Sequence, residues 1–200
     1  MNAAVFVITM GKRIVQQRRG KGGHTYRVPN YHFQPKIEYR DKSGKVVDRV
    51  KDPRRNAPLA KITYDDKTTG YIIAPEGLKV GDETENLIMP LENISEGSII
   101  SSIETKPNSG PKLCRTSGSF GILVSRTKKE CIIQLPSKKT IKLNPKCRAM
   151  LGIPAGEGRR EKPFVKAGQR YYFMHQRGKP YPITSGVKKN IVSHPFGGSG

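Results

Sequence analysis

Cationic side chains near the amino terminus are spaced by glycines and followed by aromatic residues. Six of them fall close together, at Lys12, Arg13, Arg18, Arg19, Lys21 and Arg27. Glycines stand between them at 20, 22 and 23, and the aromatic group that follows is Tyr26, Tyr31, His32 and Phe33. Spaced cations neutralise phosphates, glycines let the backbone come close, and aromatic rings stack on unpaired bases. The segment favours RNA contact, and a disordered, solvated tail is the alternative.

The carboxy-terminal stretch 156–200 is the second cationic segment. It has nine Lys or Arg against two Glu, and no sustained apolar period of either 3.6 or 2. Such a stretch cannot bury enough apolar surface to offset the entropy of its own ordering. We therefore expect it to gain structure on a partner that supplies dense negative charge and crevices, which structured nucleic acid does.

A third cationic group lies in the loop 52–58, whose sequence is DPRRNAP. Two prolines would hold this loop extended and display Arg54 and Arg55, whose planar guanidinium groups match phosphate oxygens. The structural alternative is that Asp52 caps a turn and pairs with a neighbouring arginine, and both can hold together. Arg115 lies near a second exposed loop, PNSGP, and is a further candidate to face RNA.

The overall charge supports a polyanionic partner. The 200 residues carry a formal net charge of +21, and the pI is near 10.1, far beyond what solubility requires. Residues 1–40 hold eight basic and one acidic side chain, and the middle of the chain is much closer to balance. The distribution predicts a nearly ordinary globular middle between two cationic arms. No run of eighteen apolar residues is present, so we expect no membrane span.

The cysteines do not predict a disulfide framework or a zinc site. Cys114, Cys131 and Cys147 are sixteen or seventeen residues apart, without a C-x-x-C pair. We expect them to be small buried hydrophobic residues in a reducing compartment. The histidine spacing predicts no metal site, and we expect no cofactor. The opening nine residues lack the features of a secretory signal. Because Met10 begins the basic text, we expect them to be either an extension or an over-called start.

Short apolar runs between the arms predict two small β-barrels. Residues 36–41 and 45–51 flank the turn residues 42–44 and predict a hairpin. Apolar residues alternate over 60–64, and 71–74 is another apolar run. With polar turns every eight to twelve residues and no helical period, this half is typical of an oligonucleotide-binding-type (OB) barrel.

The second half repeats the all-β pattern after a predicted connector at 76–93. Its apolar, β-branched runs are 99–103, 120–124, 131–135 and 140–143, which favour an SH3-like barrel. Asn144 and Pro145 have helix-start chemistry and predict one short turn. The predicted organisation is all-β: a basic amino-terminal arm over 1–35, the OB-type barrel over 36–85, the SH3-like barrel over 86–155 and an extended basic arm over 156–200.

Five stretches are specific in combination. They are MGKR from Met10, DPRRNAPLAK at 52–61, APEGLKVGD at 74–82, LNPKCRAMLGIPAGEGRREKPFVKAG at 143–168 and GVKKNIVSHPFGG at 186–198. Each stretch alone has low specificity for any one family. Five in this order make the chain, from Met10 onward, resemble the universal large-subunit ribosomal protein L2 family in its archaeal and eukaryotic branch.

The resemblance implies a fold and a function that composition does not supply. It implies OB-type and SH3-like barrels with both tails threaded into ribosomal RNA, and a cytoplasmic protein of the large subunit. Members bind large-subunit rRNA early in assembly, touch neighbouring ribosomal proteins, help subunits associate and send their tail towards the peptidyl transferase centre. We expect no membrane contact and no small-molecule substrate. With these expectations, the remaining candidate RNA contacts are Arg159, Arg160, Lys162, Lys166, Arg170, Lys188, Lys189 and His194.

His194 matches the family histidine nearest that centre, with two departures nearby. Ser193 stands where an acidic residue is usual, and Lys188 and Lys189 replace small apolar residues. Because no local carboxylate sets its tautomer, we expect His194 to bond a phosphate or base, or to pack in its turn, and the chain not to be an enzyme. Family members continue beyond Gly200, so either this member or the sequence as given is truncated there. The alternative function is a free-standing nucleic-acid-binding adaptor in transcription or chromatin.

Overall fold

A computed structural model describes residues 13–29, 35–159 and 161–198. The chain divides into two units. One unit, which we call the barrel unit, comprises residues 33–163. The other, which we call the arm unit, combines 1–32 with 164–200. In the part of the chain that is described, no helix has both the length and the apolar character needed to cross a membrane.

The first barrel is built on three antiparallel strands in the order β1-β2-β3: β1 (Gly44–Val50), β2 (Leu59–Tyr64) and β3 (Thr69–Ile73). Isolated bridges add a neighbour on each side, Glu83 beside Lys45 of β1 and Ile37 beside Tyr71 of β3. The core side chains include Leu59, Ile62, Ile72 and Ile73, none more than 1% exposed. The alternation over 60–64 therefore predicted β2 correctly, because every second residue of a strand faces the core.

The predicted hairpin of 36–41 with 45–51 is wrong. β1 pairs with β2 instead, with Gly44 opposite Tyr64 and Val50 opposite Leu59. Gly44 is the first residue of β1 and not part of a turn. A Cβ atom on Gly44 would lie 2.8 Å from the Ile62 side chain, so the glycine allows β1 to approach β2 closely.

The second barrel is a six-stranded sheet in the order β10-β9-β8-β5-β11-β4, with β6 and β7 paired separately. Its strands are β4 (Ile88–Pro90), β5 (Ile99–Ser101), β6 (Ile103–Glu104), β7 (Pro111–Leu113), β8 (Gly121–Arg126), β9 (Cys131–Gln134), β10 (Thr140–Leu143) and β11 (Arg148–Leu151). A 3-10 helix, Leu91–Asn93, follows β4. The core includes Ile100, Ile103, Leu123 and Ile133. The all-β prediction, with an OB-type and an SH3-like barrel, is confirmed.

Several local predictions for this half need correction. The connector 76–93 contains β4, which pairs with β11. The run 99–103 is interrupted at Ser102, whose φ is +50°, so two separate strands form. The short turn predicted at Asn144 and Pro145 is confirmed. The Asn144 side chain accepts a hydrogen bond of 2.9 Å from the Lys146 backbone N–H, and the chain then enters β11.

The cysteines pack with the second barrel. Cys131 and Cys147 are fully buried in its core, and the half-buried Cys114 lies against it. Burial raises the pKa of all three thiols above the ordinary value. They are therefore small core residues held in the protonated form, as expected from their spacing.

The two barrels, which the sequence predicted as consecutive segments, share structure. Met150 of β11 belongs to the core of the first barrel. Backbone hydrogen bonds join Glu76 N–H to the Ile153 carbonyl at 2.8 Å, and Ala155 N–H to the Ala74 carbonyl at 2.9 Å. Tyr39 donates a hydrogen bond of 2.6 Å to the Ser102 carbonyl. The two barrels therefore form one structural unit rather than two separate domains.

The arm unit contains helices that the sequence patterns did not predict. They are α1 (Val15–Arg19), a 3-10 turn (His24–Tyr26) and α2 (Ala167–His175). None of these elements has a buried residue. Since there is no apolar stripe to bury, hydrophobic periodicity gives no signal for them.

Candidate nucleic-acid interface

The described cations of the amino-terminal arm lie on its surface. Arg13, Arg18, Arg19, Lys21 and Arg27 are all exposed. None forms an ion pair with a carboxylate in the described residues. The predicted contact Lys12 lies outside the described residues. These side chains are available to an anion that approaches from outside.

Helix α2 places cations beside aromatic rings. Lys166 precedes the helix and Arg170 lies in its first turn; both are exposed. The Arg170 guanidinium lies 5.2 Å from the centre of the Tyr181 ring, within the range of a cation–π contact. Tyr171 and Tyr172 stand on the same helix, 45% and 66% exposed. Exposed tyrosines among cations suit the stacking of unpaired bases. This tyrosine pair was not among the predicted contacts, although the doublet is visible in the sequence.

The two arms touch each other within the arm unit. Gly178 has φ +62°, and a Cβ atom there would lie 2.8 Å from the Arg27 backbone carbon and 2.9 Å from the Tyr26 carbonyl oxygen. A side chain would collide with that backbone, and only glycine adopts this φ readily. The structure therefore brings together two cationic segments that the sequence suggested only as separate arms.

Residues 186–198 form a loop closed by its own backbone, which we call the His194 loop. Ser193 and His194 both donate backbone hydrogen bonds to the Asn190 carbonyl, at 2.9 and 3.2 Å, and Gly198 donates to the Lys189 carbonyl at 3.2 Å. A Cβ atom on Gly186 would overlap the His194 ring, so the imidazole packs on bare backbone. The predicted contact Lys188 is exposed, and Lys189 is half-buried.

The environment of His194 fixes one ring nitrogen as an acceptor. The Phe196 backbone N–H donates to Nδ1 of His194 at 3.1 Å. In the neutral imidazole the proton then lies on Nε2, which is left as a hydrogen-bond donor. No carboxylate among the described residues bonds this ring. Nε2–H of His194 can donate a hydrogen bond to a phosphate or base. Among the described residues, the ring has no carboxylate partner of the kind that a general base requires.

The loop 52–58 forms a tight turn instead of the extended display that we predicted. The fully buried Asp52 side chain accepts a hydrogen bond of 2.9 Å from the Arg54 backbone N–H and pairs with the Arg55 guanidinium. Both arginines are half-buried. The structural alternative therefore holds, because carboxylate and turn are satisfied within the loop.

Further arginines gather around this turn. Burial lowers the pKa of Arg55, as do the nearby charges of Arg54 and Arg115, while Asp52 opposes them. Arg159 donates a hydrogen bond of 3.4 Å to the Asn56 carbonyl, and Arg115 and Arg159 are exposed. The structure thus collects four predicted contacts from three sequence segments. Two further predicted contacts follow Arg159 in the sequence. Lys162 is exposed, and Arg160 lies outside the described residues.

The comparisons with known proteins cover the same segments. A family model described as ribosomal proteins L2, RNA-binding N-terminal domain, matches residues 9–86, and one described as ribosomal proteins L2, C-terminal domain, matches 85–200. The chain belongs to the ribosomal protein L2 family. A curated relative from Methanopyrus kandleri, named large ribosomal subunit protein uL2, is 42% identical over 207 residues, covering 94% of this chain and 85% of the relative.

Other L2 relatives show the same extent of similarity. Proteins of the same name from Natronomonas pharaonis and Archaeoglobus fulgidus are 41% and 42% identical, and cover 96% and 94% of this chain. The alignments span 85% and 86% of those relatives. The L2 resemblance identified from five sequence stretches is therefore confirmed over residues 9–200 and not only at isolated motifs.

Proposed function

We propose that this protein is a structural component of the large ribosomal subunit that binds large-subunit rRNA. One observation carries the proposal. Residues 1–32 and 164–200, which make up the arm unit, contain twelve Lys or Arg and no Asp or Glu. Since the unit has no side-chain carboxylate of its own, its charges repel one another until an external polyanion neutralises them.

The apolar side chains of the arm unit support the same partner. Val165, Ile183, Ile191, Val192 and Phe196 are each at least 66% exposed. Apolar side chains next to cations suit RNA crevices, where riboses and base faces lie between phosphates. Phosphate contacts would position the protein, and the tertiary shape of the RNA would supply specificity.

Within the subunit, we propose that the protein supports assembly and subunit association. The His194 loop would extend to the environment of the peptidyl transferase centre, where Nε2–H of His194 donates to RNA. Peptidyl transfer is attributed to the RNA, and the protein is not an enzyme. Neighbouring ribosomal proteins complete its partners, in the cytoplasm. The relatives' name, large ribosomal subunit protein uL2, supports the proposed place of this protein in the large subunit.

The test compares two matched sets of four cations. In the first variant, Lys166, Arg170, Lys188 and Lys189 of the arm unit become Gln. In the control variant, the changed residues are Lys36, Arg40, Lys42 and Lys45, each of which already pairs with a carboxylate. Binding of the full chain to a large-subunit rRNA fragment is measured from 50 to 400 mM salt.

We expect the arm variant to flatten the slope of log K against log salt by about 3, at about 0.7 to 0.9 for each lost phosphate contact. The control variant changes the slope by less than about 1. Equal effects of the two sets would contradict the proposal, as would wild-type binding that does not depend on salt. Retention on large subunits through a high-salt sucrose gradient distinguishes the ribosomal protein from a soluble adaptor.

A further inference from the structure

The second barrel presents two lysine-bearing turns that none of the predicted contacts includes. The β8–β9 turn carries Lys128 and Lys129 at its tip, and the β9–β10 turn carries Lys138 and Lys139. All four side chains are exposed, and none forms an ion pair with a carboxylate in the described chain. The turns lie at opposite ends of β9, whose four residues span about 13 Å at about 3.3 Å per residue.

The sheet surface between these turns is partly apolar. Cross-strand pairing puts Ile99, Ile122, Gln134 and Thr140 in one row, because directly opposed residues share a face. Ile132 and Lys142 form part of the next row. The alternate residues of β8 and β9, such as Leu123 and Ile133, are fully buried on the other face. These rows therefore lie on the outer face of the barrel, and the lysine turns lie beyond the two ends of β9.

Lys138 occupies a backbone conformation that favours glycine. Its φ is +64°, in the left-handed region, where a residue other than glycine, asparagine or aspartate is uncommon. Backbone hydrogen bonds from Lys138 N–H to the Leu135 carbonyl and from Leu135 N–H to the Lys139 carbonyl, both 2.8 Å, hold it there. Glycine fits this conformation without strain, so replacing Lys138 by glycine removes the side chain while the turn is kept.

The first barrel supplies a matched turn without these lysine neighbours. Lys67 has φ +59°, and the turn has the same pair of backbone bonds, Lys67 N–H to the Tyr64 carbonyl at 2.9 Å and Tyr64 N–H to the Thr68 carbonyl at 3.0 Å. That turn carries Asp65 and Asp66 beside its lysine. The two turns therefore have the same geometry and opposite local charge.

We propose that the β8–β10 face is an additional rRNA-binding surface. Lys128 and Lys129 hold phosphates at one end, Lys138 and Lys139 hold phosphates at the other, and riboses of the intervening backbone lie over Ile122 and Ile132. The proposal rests on the proposed function, because the rRNA is the same partner. Charge complementarity selects the polyanion, because none of the four lysines forms an ion pair with a carboxylate in the described chain and RNA phosphates carry the opposite charge.

The experiment uses the full chain and the same rRNA fragment. Changing all four lysines to Gln is expected to weaken binding about 100-fold at 0.15 M salt and to flatten the salt slope by about 3. Hydroxyl-radical footprinting is expected to lose one protected stretch of RNA while the protections due to the arm unit remain. Unchanged affinity and an unchanged footprint, with wild-type binding intact, would overturn this surface and leave the proposed function standing.

Two single changes separate binding from folding. Lys138→Gly is expected to leave the melting temperature the same or higher, because glycine fits φ +64°, and yet to weaken rRNA binding about four-fold. Lys67→Gly is expected to have the same effect on melting and none on binding. Equal binding by both variants would contradict the proposal. Competition by polyglutamate as strong as by RNA of equal charge would also overturn it, in favour of an acidic protein partner.

Discussion

Removal of the Glu104 carboxylate tests how the two barrels are joined. Glu104 is fully buried. Its two oxygens accept hydrogen bonds from the Gly110 backbone N–H at 2.9 Å, the Arg148 backbone N–H at 3.0 Å and the Arg148 guanidinium at 3.2 Å. The same guanidinium pairs with Asp41 of the first barrel and lies 5.6 Å from the centre of the Tyr39 ring. One carboxylate therefore holds in place the arginine that links the barrels.

We expect Glu104→Ala to destabilise the protein by about 3 to 5 kcal/mol. The change leaves two backbone N–H groups without their acceptor and a largely buried guanidinium with only Asp41, and breaking a buried pair from one side costs about this much. At about 2 to 4 °C per kcal/mol for a chain of this size, the melting temperature falls by about 10 °C. Calorimetry of the full chain in the absence of RNA measures the shift.

The matched control is Glu38→Ala. Glu38 pairs with Lys36 and Arg40 at the surface, where an ion pair contributes about 0 to 1 kcal/mol, so the melting temperature should fall by no more than about 3 °C. If Glu104→Ala lowered it as little as Glu38→Ala, the carboxylate would not hold the joint. Two well-separated transitions of the barrel unit in the wild type would show that the barrels unfold independently.

Two further predictions concern pH and the His194 loop. A hydrogen bond from Lys42, then those from Thr68, hold the pKa of Asp66 well below its ordinary value. This carboxylate therefore stabilises the fold above about pH 4, and the stabilisation is lost as the pH falls towards the folded-state pKa. Thermal melts should show Asp66→Asn less stable than wild type at pH 7, with a difference that narrows as the pH falls below about 4. His194→Ala should leave the rate of peptide-bond formation in fully assembled subunits within a few-fold of wild type, and a rate collapse with normal assembly would restore a catalytic role.

The sequence could predict those strands whose apolar residues repeat along one segment. β2, β8, β9 and β10 follow from alternation or from β-branched runs between turn residues. β4, β7 and β11 could not be predicted, since each has three or four residues and is defined by its partner strand, as Ile88 is by Met150. Gly44 suggested a turn because glycine serves both turns and close strand approach, and only the pairing with β2 distinguishes the two.

The candidate site was predictable where chemistry follows from residue type and unpredictable where it depends on distant contacts. Spaced cations identified the arms, but nothing local indicates that Gly178 packs against Arg27. Asp52 beside Arg55 left two alternatives open, and burial of the carboxylate selects the pair. The lysine turns of the second barrel were not predicted as RNA contacts. Pairs of lysines in hairpin turns are usually solvated, and the sequence does not show that the two turns border the same face of the sheet.

The positions of the acidic residues explain why the barrels and the arms behave differently. In the barrel unit, cations such as Lys42, Arg55 and Arg148 each have a carboxylate partner close by, so their charge is compensated during folding. In the arm unit no Asp or Glu occurs, and no refolding of the unit can supply one. Because rearrangement within the arm unit cannot compensate this charge, ions in solution or a polyanion compensate it. Binding of a polyanion that releases its own counterions is strongest at low salt. Salt should therefore stabilise the arm unit of the free protein while it weakens the complex with RNA, an opposition that a merely solvated tail would not show.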